Sequence, residues 1–278
     1  MELYVIETGN LRLDGGAMFG VVPKVMWENL YPADENNLCN WAMRCLLVVD
    51  GDRITLIDNG IGDKQGKSFL KHYLLNGDDT LAGSLKNCGF SFDDITDVVL
   101  THLHFDHCGG SIKYDEEKNL VPAFKNANFW VSKKQWELAK NPNRREKASF
   151  LEENILPIGE SGKLKLVEGE EEIIPNITAK IFDGHTVGQI IPYINYNGKT
   201  IAYMADLLPS TAHIPMPYIM SYDTQPLLTL NDKERFYKDA LDGNFILFFE
   251  HDIKNECCTL KNTIKGARVD KIFKLEDI

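Results

Sequence analysis

The sequence predicts a layered α/β fold. Short apolar runs of strand type alternate with helical segments along the whole chain, and Gly, Pro and Asn punctuate them as turns. No internal repeat or low-complexity linker interrupts the pattern. Several of the runs are followed at once by His or Asp. In α/β sheets, strand ends gather where ligand crevices form.

The strand-type runs, in order, are Leu3–Thr8, Cys45–Asp50, Ile54–Asp58, Val98–Thr101, Asn128–Ser132, Ile177–Phe182, Thr200–Met204 and Phe245–Phe249. Each is rich in Val, Ile, Leu, Phe or Tyr. Gly51-Asp52 joins two of them as a β-hairpin. Thr80–Cys88 carries Leu81 and Leu85 on one face, with Gly89 as a stop, and predicts a helix. Lys133–Lys140 predicts a second, halted before Pro142. Asp232–Leu241 predicts a third, between the cap candidate Asn231 and Gly243. Pro209, Pro215, Pro217 and Pro226 forbid a regular helix between them.

The chain has 278 residues, 44% hydrophobic and 26% charged, close to the globular average. That length accommodates one domain over 1–278. A net charge of −11 repels phosphate backbones, and no basic run offsets it, so nucleic acid is not an expected partner. No apolar stretch reaches membrane-spanning length, so no membrane role is expected. The six cysteines show no C-x-x-C spacing. They fit free thiols in a reducing cytosol, and no signal peptide is read at the start, so the expected location is cytoplasmic.

The chemistry is concentrated in Thr101-His102-Leu103-His104-Phe105-Asp106-His107-Cys108-Gly109-Gly110, which gives H-x-H-x-D-H directly after an apolar strand. With only 7 His in 278 residues, chance assembly of this pattern is on the order of 1 in 3,000. Imidazole and carboxylate suit zinc, iron, manganese or cobalt. In an extended segment His102 and His104 point to one side and can share an ion. A turn at Phe105 would let Asp106 and His107 face a second position. His185, Asp206 and His251 each lie just past another apolar run.

This order of His and Asp resembles the metallo-β-lactamase-fold hydrolases, from the hairpin ending Leu56-Ile57-Asp58-Asn59-Gly60 to His251. The resemblance implies an αββα four-layer sandwich, two mixed β-sheets flanked by helices. It also implies a site for two divalent metal ions, zinc by default. His102, His104 and His185 would hold one ion, and Asp106, His107 and His251 the other. Asp206 would bridge both, together with a water or hydroxide, and Asp58 would support the site from behind. Asp106 and Asp206 are the expected catalytic carboxylates.

Departures narrow the activity. The antibiotic-hydrolysing members with two zincs often place Cys near the bridging position, where this chain has Asp206. The di-iron oxygen reductases have Glu where His104 stands. What remains resembles the quorum-quenching lactonase and organophosphate-hydrolase branch. The likeness lies in Gly16–Lys24 with Trp27, and in Ala205–His213 with Ser221-Tyr222-Asp223. It implies hydrolysis of a lactone or ester, N-acyl homoserine lactone first, with a phosphotriester or phosphodiester as the alternative. An iron-binding redox or sensor protein is a third reading from a different class, and His104 and Asp206 argue against it, because a nitrogen-rich set with an open bridge suits Lewis-acid work. Several lactonases of that branch carry a catalytic Tyr three residues past the bridging Asp, where this chain has Pro209. Met18, Phe19, His213 and Tyr222 are the candidate substrate residues. The expected partner is a small molecule, and a homodimer is common in the branch.

Overall fold

The computed structural model describes all 278 residues. The span read as one domain divides into two compact units, Met1–Asn10 with Met43–Gly169, and Leu11–Ala42 with Glu170–Ile278. The divide falls within the first two strands. No helix is long and apolar enough to cross a membrane. All six cysteines are free.

The first unit is built on a six-stranded mixed sheet. Its strands are β1 (Glu2–Asp14), β2 (Leu38–Asp50), β3 (Arg53–Ile57), β4 (Asp97–Val99), β7 (Asn128–Ser132) and β8 (Leu164–Val167), in that order across the sheet. A two-stranded ribbon, β5 (Ile112–Tyr114) and β6 (Leu120–Pro122), stands apart from it. The predicted hairpin is present, with Asp50 paired to Arg53 across Gly51, which takes φ 60°. β3, β4, β7 and β8 then run parallel. Each return between them is therefore a crossover, and the helices come from those crossovers. The core of this unit gathers Leu47, Leu56, Val98, Phe124, Phe129, Trp136 and Ile158, none more than 8% exposed.

The helices follow from local rules with instructive exceptions. The helix Leu81–Asn87 is capped by the Thr80 side chain, which accepts from Gly83 N, and Gly89 beyond it takes φ 85°. Lys133–Lys140 forms as predicted, with Ser132 accepting from Gln135 N as its cap. The helix Glu152–Glu160 was not predicted, because Pro157 sits inside it. Pro157 falls in the second turn of this short helix, where burial of Ile155 and Ile158 outweighs the loss of one donor. The third predicted helix runs instead over Pro226–Asp242, with Pro226 at its first position, so Asn231 lies inside it and is no cap. Proline's fixed φ starts a helix as readily as it breaks one.

The second unit holds a seven-stranded mixed sheet in the order β15-β14-β13-β12-β11-β10-β9. These strands are β9 (Glu171–Ile174), β10 (Ile177–Phe182), β11 (Gln189–Tyr196), β12 (Lys199–Tyr203), β13 (Ile246–Phe248), β14 (Cys257–Thr263) and β15 (Gly266–Phe273). All neighbours are antiparallel except β12 and β13, which run parallel in the register Tyr203 opposite Phe248. An aromatic cluster of Phe19, Trp27, Tyr31, Trp41 and His213 packs within this unit. Phe19 stacks on Trp27 at 4.9 Å and on His213 at 4.6 Å, and Tyr31 stacks on Trp41 at 4.0 Å.

Phe129 stands in the middle of the first unit's core and is fully buried. Phe129→Ala is expected to lower unfolding stability by about 3–5 kcal/mol, read as a shift of the urea midpoint at unchanged slope.

Candidate functional site

Each unit carries its own set of metal-type donors, and in both the sheet places them by one rule. Four of the seven predicted ligands are the third residue beyond a strand. They are His102 after Val99, His185 after Phe182, Asp206 after Tyr203 and His251 after Phe248. In the second unit β12 and β13 are parallel and in register, so equal offsets bring Asp206 and His251 out side by side. β10 runs the same way as β12, since β11 lies antiparallel between them, and so delivers His185 to the same edge.

In the first unit, His102 Nε2 and His104 Nδ1 lie 3.1 Å apart, and the His102 and His107 rings have centroids 3.9 Å apart. Asp106 Oδ2 is 3.8 Å from His107 Nε2. Asp106 is the most accessible of the four, with a side chain 14% exposed. Phe105–Cys108 forms one helical turn, so the turn expected at Phe105 is present.

Asp58 organises this set from beneath. Its Oδ1 accepts from Thr101 N at 2.8 Å, and its Oδ2 accepts from Thr101 Oγ1 at 2.7 Å and faces His107 Nδ1 at 3.1 Å. It holds φ 54°, a left-handed conformation that Asp tolerates better than most residues. The glycines after the ligands serve close approach rather than torsion. A Cβ on Gly109 would lie 2.0 Å from the Ile61 carbonyl oxygen.

In the second unit one carboxylate joins two imidazoles. Asp206 Oδ2 is 3.0 Å from His185 Nε2, and Oδ1 is 3.1 Å from His251 Nε2. The far nitrogen of each ring is already held. His185 Nδ1 lies 3.0 Å from Asp223 Oδ1, and His251 Nδ1 donates to the Ala42 carbonyl at 2.7 Å. That arrangement fixes the rings and turns Nε2 of each toward the position a metal could take. Burial works against a charged His185, but Asp206 and Asp223 outweigh it and push the imidazole up to about 10. The imidazolium balances the two carboxylates where a cation would otherwise do so.

The donor spacings fit a tetrahedral metal. Nitrogen or oxygen ligands about 2.0–2.1 Å from zinc stand roughly 3.3 Å from one another. The facing atoms are 3.0–3.1 Å apart for His102–His104, His185–Asp206 and His251–Asp206, and 3.8 Å for Asp106–His107. Every predicted ligand imidazole also has an outer partner: Thr101 for His102, Asp58 for His107, Asp223 for His185 and the Ala42 carbonyl for His251. For His104 it is Glu146, whose Oε2 is 3.6 Å from Nε2, a charge contact rather than a hydrogen bond.

Two of these partners were missed in the sequence. Glu146 lies in Asn143-Arg144-Arg145-Glu146-Lys147, which reads as a solvated charge run, yet it is 3% exposed. The Asn143 side-chain amide donates to Glu146 Oε1 at 2.5 Å. Asp223 appears in the sequence only as part of Ser221–Asp223, and nothing local ties it to His185.

Three of the four candidate substrate residues are buried. Met18, Phe19 and His213 are no more than 2% exposed, whereas Tyr222 is 42% exposed. His213 Nε2 donates to the Met18 carbonyl at 2.9 Å, and Ser210 Oγ lies 2.8 Å from Nδ1. Burial lowers the His213 pKa to about 4, so the ring is neutral near pH 7.

Two outcomes follow. Asp58→Ala and Asp223→Ala, one in each unit, are expected to weaken zinc binding by about 10–100-fold each, read by competition with a chromophoric chelator. In protein stripped of divalent ions, His185 sits near 10, above its unfolded value of about 6.5. Its contribution to stability is therefore complete below about pH 6.5 and is lost as pH rises through about 10. Urea midpoints of the stripped protein should fall across that window, and those of Asp223→Ala should fall less.

Residues 44–243 match the metallo-beta-lactamase superfamily. An N-acyl homoserine lactonase of Bacillus thuringiensis is 25% identical over 268 residues, spanning 92% of this chain and 94% of the relative. The solved structure of a probable metal-dependent hydrolase from Staphylococcus aureus is 29% identical, with a TM-score of 0.89, covering 100% of this chain and 98% of that one. AidC, a dizinc quorum-quenching lactonase, shares the fold at 23% identity and a TM-score of 0.76, covering 96% of this chain and 93% of its own. Both the donor motif and the fold thus agree with the matched family: the chain is a hydrolase of the metallo-beta-lactamase superfamily.

Proposed function

We propose that the donors of the two units act together on two divalent metal ions, zinc by default, and that the protein opens a lactone, with N-acyl homoserine lactone the first substrate. The observation that carries this reading is Asp206, with each carboxylate oxygen against a different imidazole, each imidazole tied at its other nitrogen. A carboxylate so placed is built to be shared. His102, His104 and His185 would hold one ion, Asp106, His107 and His251 the other, and Asp206 both. Such ions lower the pKa of a bound water toward neutrality and polarise the oxygen of the electrophile.

The chain's own groups supply the rest. Asp58, Glu146 and Asp223 hold ligand rings in position, so little reorganisation is needed when charge develops. Asp106, the most accessible carboxylate of the first unit's set, would accept the proton given up by the attacking water and pass it to the departing alkoxide. Tyr222 is the one exposed candidate among the expected substrate residues. The curated relatives named N-acyl homoserine lactonase support the substrate class.

A second reading is a phosphotriester hydrolase, favoured by Pro209. That residue supplies no hydroxyl where several lactonases have Tyr. An aryl phosphotriester expels a stabilised phenolate that needs no proton donor, whereas ring opening expels an alkoxide that does.

Metal analysis and a panel of γ-lactone, aryl ester, phosphotriester and β-lactam substrates test both. The lactone reading expects about two metal ions per chain and the highest kcat/KM on acylated γ-lactones. A preference for the phosphotriester overturns it in favour of the second. His104→Ala and Asp206→Asn are expected to lower kcat/KM by more than about 100-fold, beyond the loss typical of an outer partner. Wild-type turnover by both variants would defeat the metal mechanism.

A further inference from the structure

Lys233, on the helix Pro226–Asp242, is fully buried. Its ammonium meets no carboxylate at hydrogen-bonding distance. It donates instead to four backbone carbonyls of one loop: His213 at 2.6 Å, Pro215 at 3.0 Å, Met216 at 3.2 Å and Tyr218 at 3.0 Å. Three protons shared among four acceptors make a cage of the kind a bound cation would occupy. Burial draws the Lys233 pKa down to about 7, with Asp223 opposing. Four oxygens within 3.2 Å leave no direction for an amine lone pair, so the cage itself favours the charged form. Remove the ammonium, and four carbonyl dipoles converge on an empty buried point.

The caged loop is pinned on both sides to donors of the second unit. Before it, Thr211 N and Oγ1 donate to Asp252 Oδ2 at 2.9 and 2.7 Å, next to His251. After it, Asp223 accepts from Met220 N at 3.1 Å while its other oxygen faces His185 Nδ1. Thr224 N and Oγ1 donate to the His185 carbonyl, both at 2.9 Å. Between these pins the chain has only the single 3₁₀ turn Thr211–His213 as regular structure, and residues 214–219 have no helix or strand to fix their shape. Its carbonyls point inward at Lys233, while Pro215, Met216, Pro217 and Ile219 keep part of their apolar surface accessible.

We infer that Lys233 is a positioning residue that holds residues 213–220 as an apolar wall and thereby sets how large an apolar group the substrate can carry, without touching the substrate. The inference rests on the substrate reading proposed above, since the wall follows Asp206 by seven residues. Nothing local in the sequence marks Lys233, which sits among Asn231, Asp232, Glu234 and Arg235 like any surface lysine.

The test compares wild type, Lys233→Met and Lys233→Arg on acyl γ-lactones of graded chain length, with phosphotriesters of graded alkyl size in parallel. Metal content and deuterium exchange of the amides of residues 214–219 are read on the same samples. Lys233→Met keeps the volume and loses the charge. It is expected to exchange those amides at least 10-fold faster, to keep its metal content, and to raise KM about 10-fold for the longest chains while kcat on the shortest stays within twofold. Lys233→Arg restores charge and is expected to recover part of the KM.

Should Lys233→Met fail to fold, Lys233→Ala with added propylammonium replaces it, and recovery of the long-chain KM on adding the amine is the expected result. A chain-length profile unchanged in Lys233→Met, or a uniform fall in kcat at every length, overturns the inference. Wild type inert toward both series would overturn the lactone and phosphotriester readings. The Lys233 cage would then stand or fall on the exchange rates, with unchanged rates in Lys233→Met refuting it.

Discussion

Asp206 is the group around which the second unit's buried donors are arranged. A carboxylate with both oxygens set against imidazole nitrogens about 3 Å away is unstable in isolation, because burial strips its hydration. It is tolerated here because His185 is held charged by two carboxylates and His251 is oriented by the Ala42 carbonyl. The charged His185 offsets the carboxylate as it stands, and loss of one proton leaves two imidazole nitrogens and a carboxylate facing one another as donors. A site of this kind is ready for a divalent cation without a change of backbone.

The sheets make that readiness cheap. Parallel pairing of β12 with β13 means that a ligand three residues past each strand needs no special loop to meet its neighbour. The same offset recurs after β10 and, in the first unit, after β4. Strand register, fixed by burial of apolar residues, therefore does most of the positioning. The outer partners finish it by locking ring rotation. The carbonyl cage around Lys233 extends the same economy to the loop beyond Asp206, where one 3₁₀ turn is the only regular structure.

Much of this was legible along the chain. The runs Asn128–Ser132 and Ile177–Phe182 and the helix Lys133–Lys140 appear as predicted, because alternation, caps and stops there agree with tertiary packing. β11 escaped because it is buried on both faces over Gln189–Ile194 and shows no alternation. β14 and β15 escaped because charged residues interrupt their apolar pattern. Glu152–Glu160 escaped because Pro157 is read as a breaker until its place in the second turn is known. Phe19 and His213 were legible as candidate substrate residues. Their burial, with Phe19 stacked between Trp27 and His213, was not.

The sequence by itself determined the donor types, their order and the local geometry of H-x-H-x-D-H. These depend only on side-chain chemistry and on the two-residue repeat of an extended chain turning into one helical turn. The tertiary structure alone decided which carboxylates became outer partners and which lysine became an internal cation. Asp223 reaches His185 across 38 residues and Lys233 reaches His213 across 20. Such pairings are selected by sheet register and burial, which no local pattern encodes.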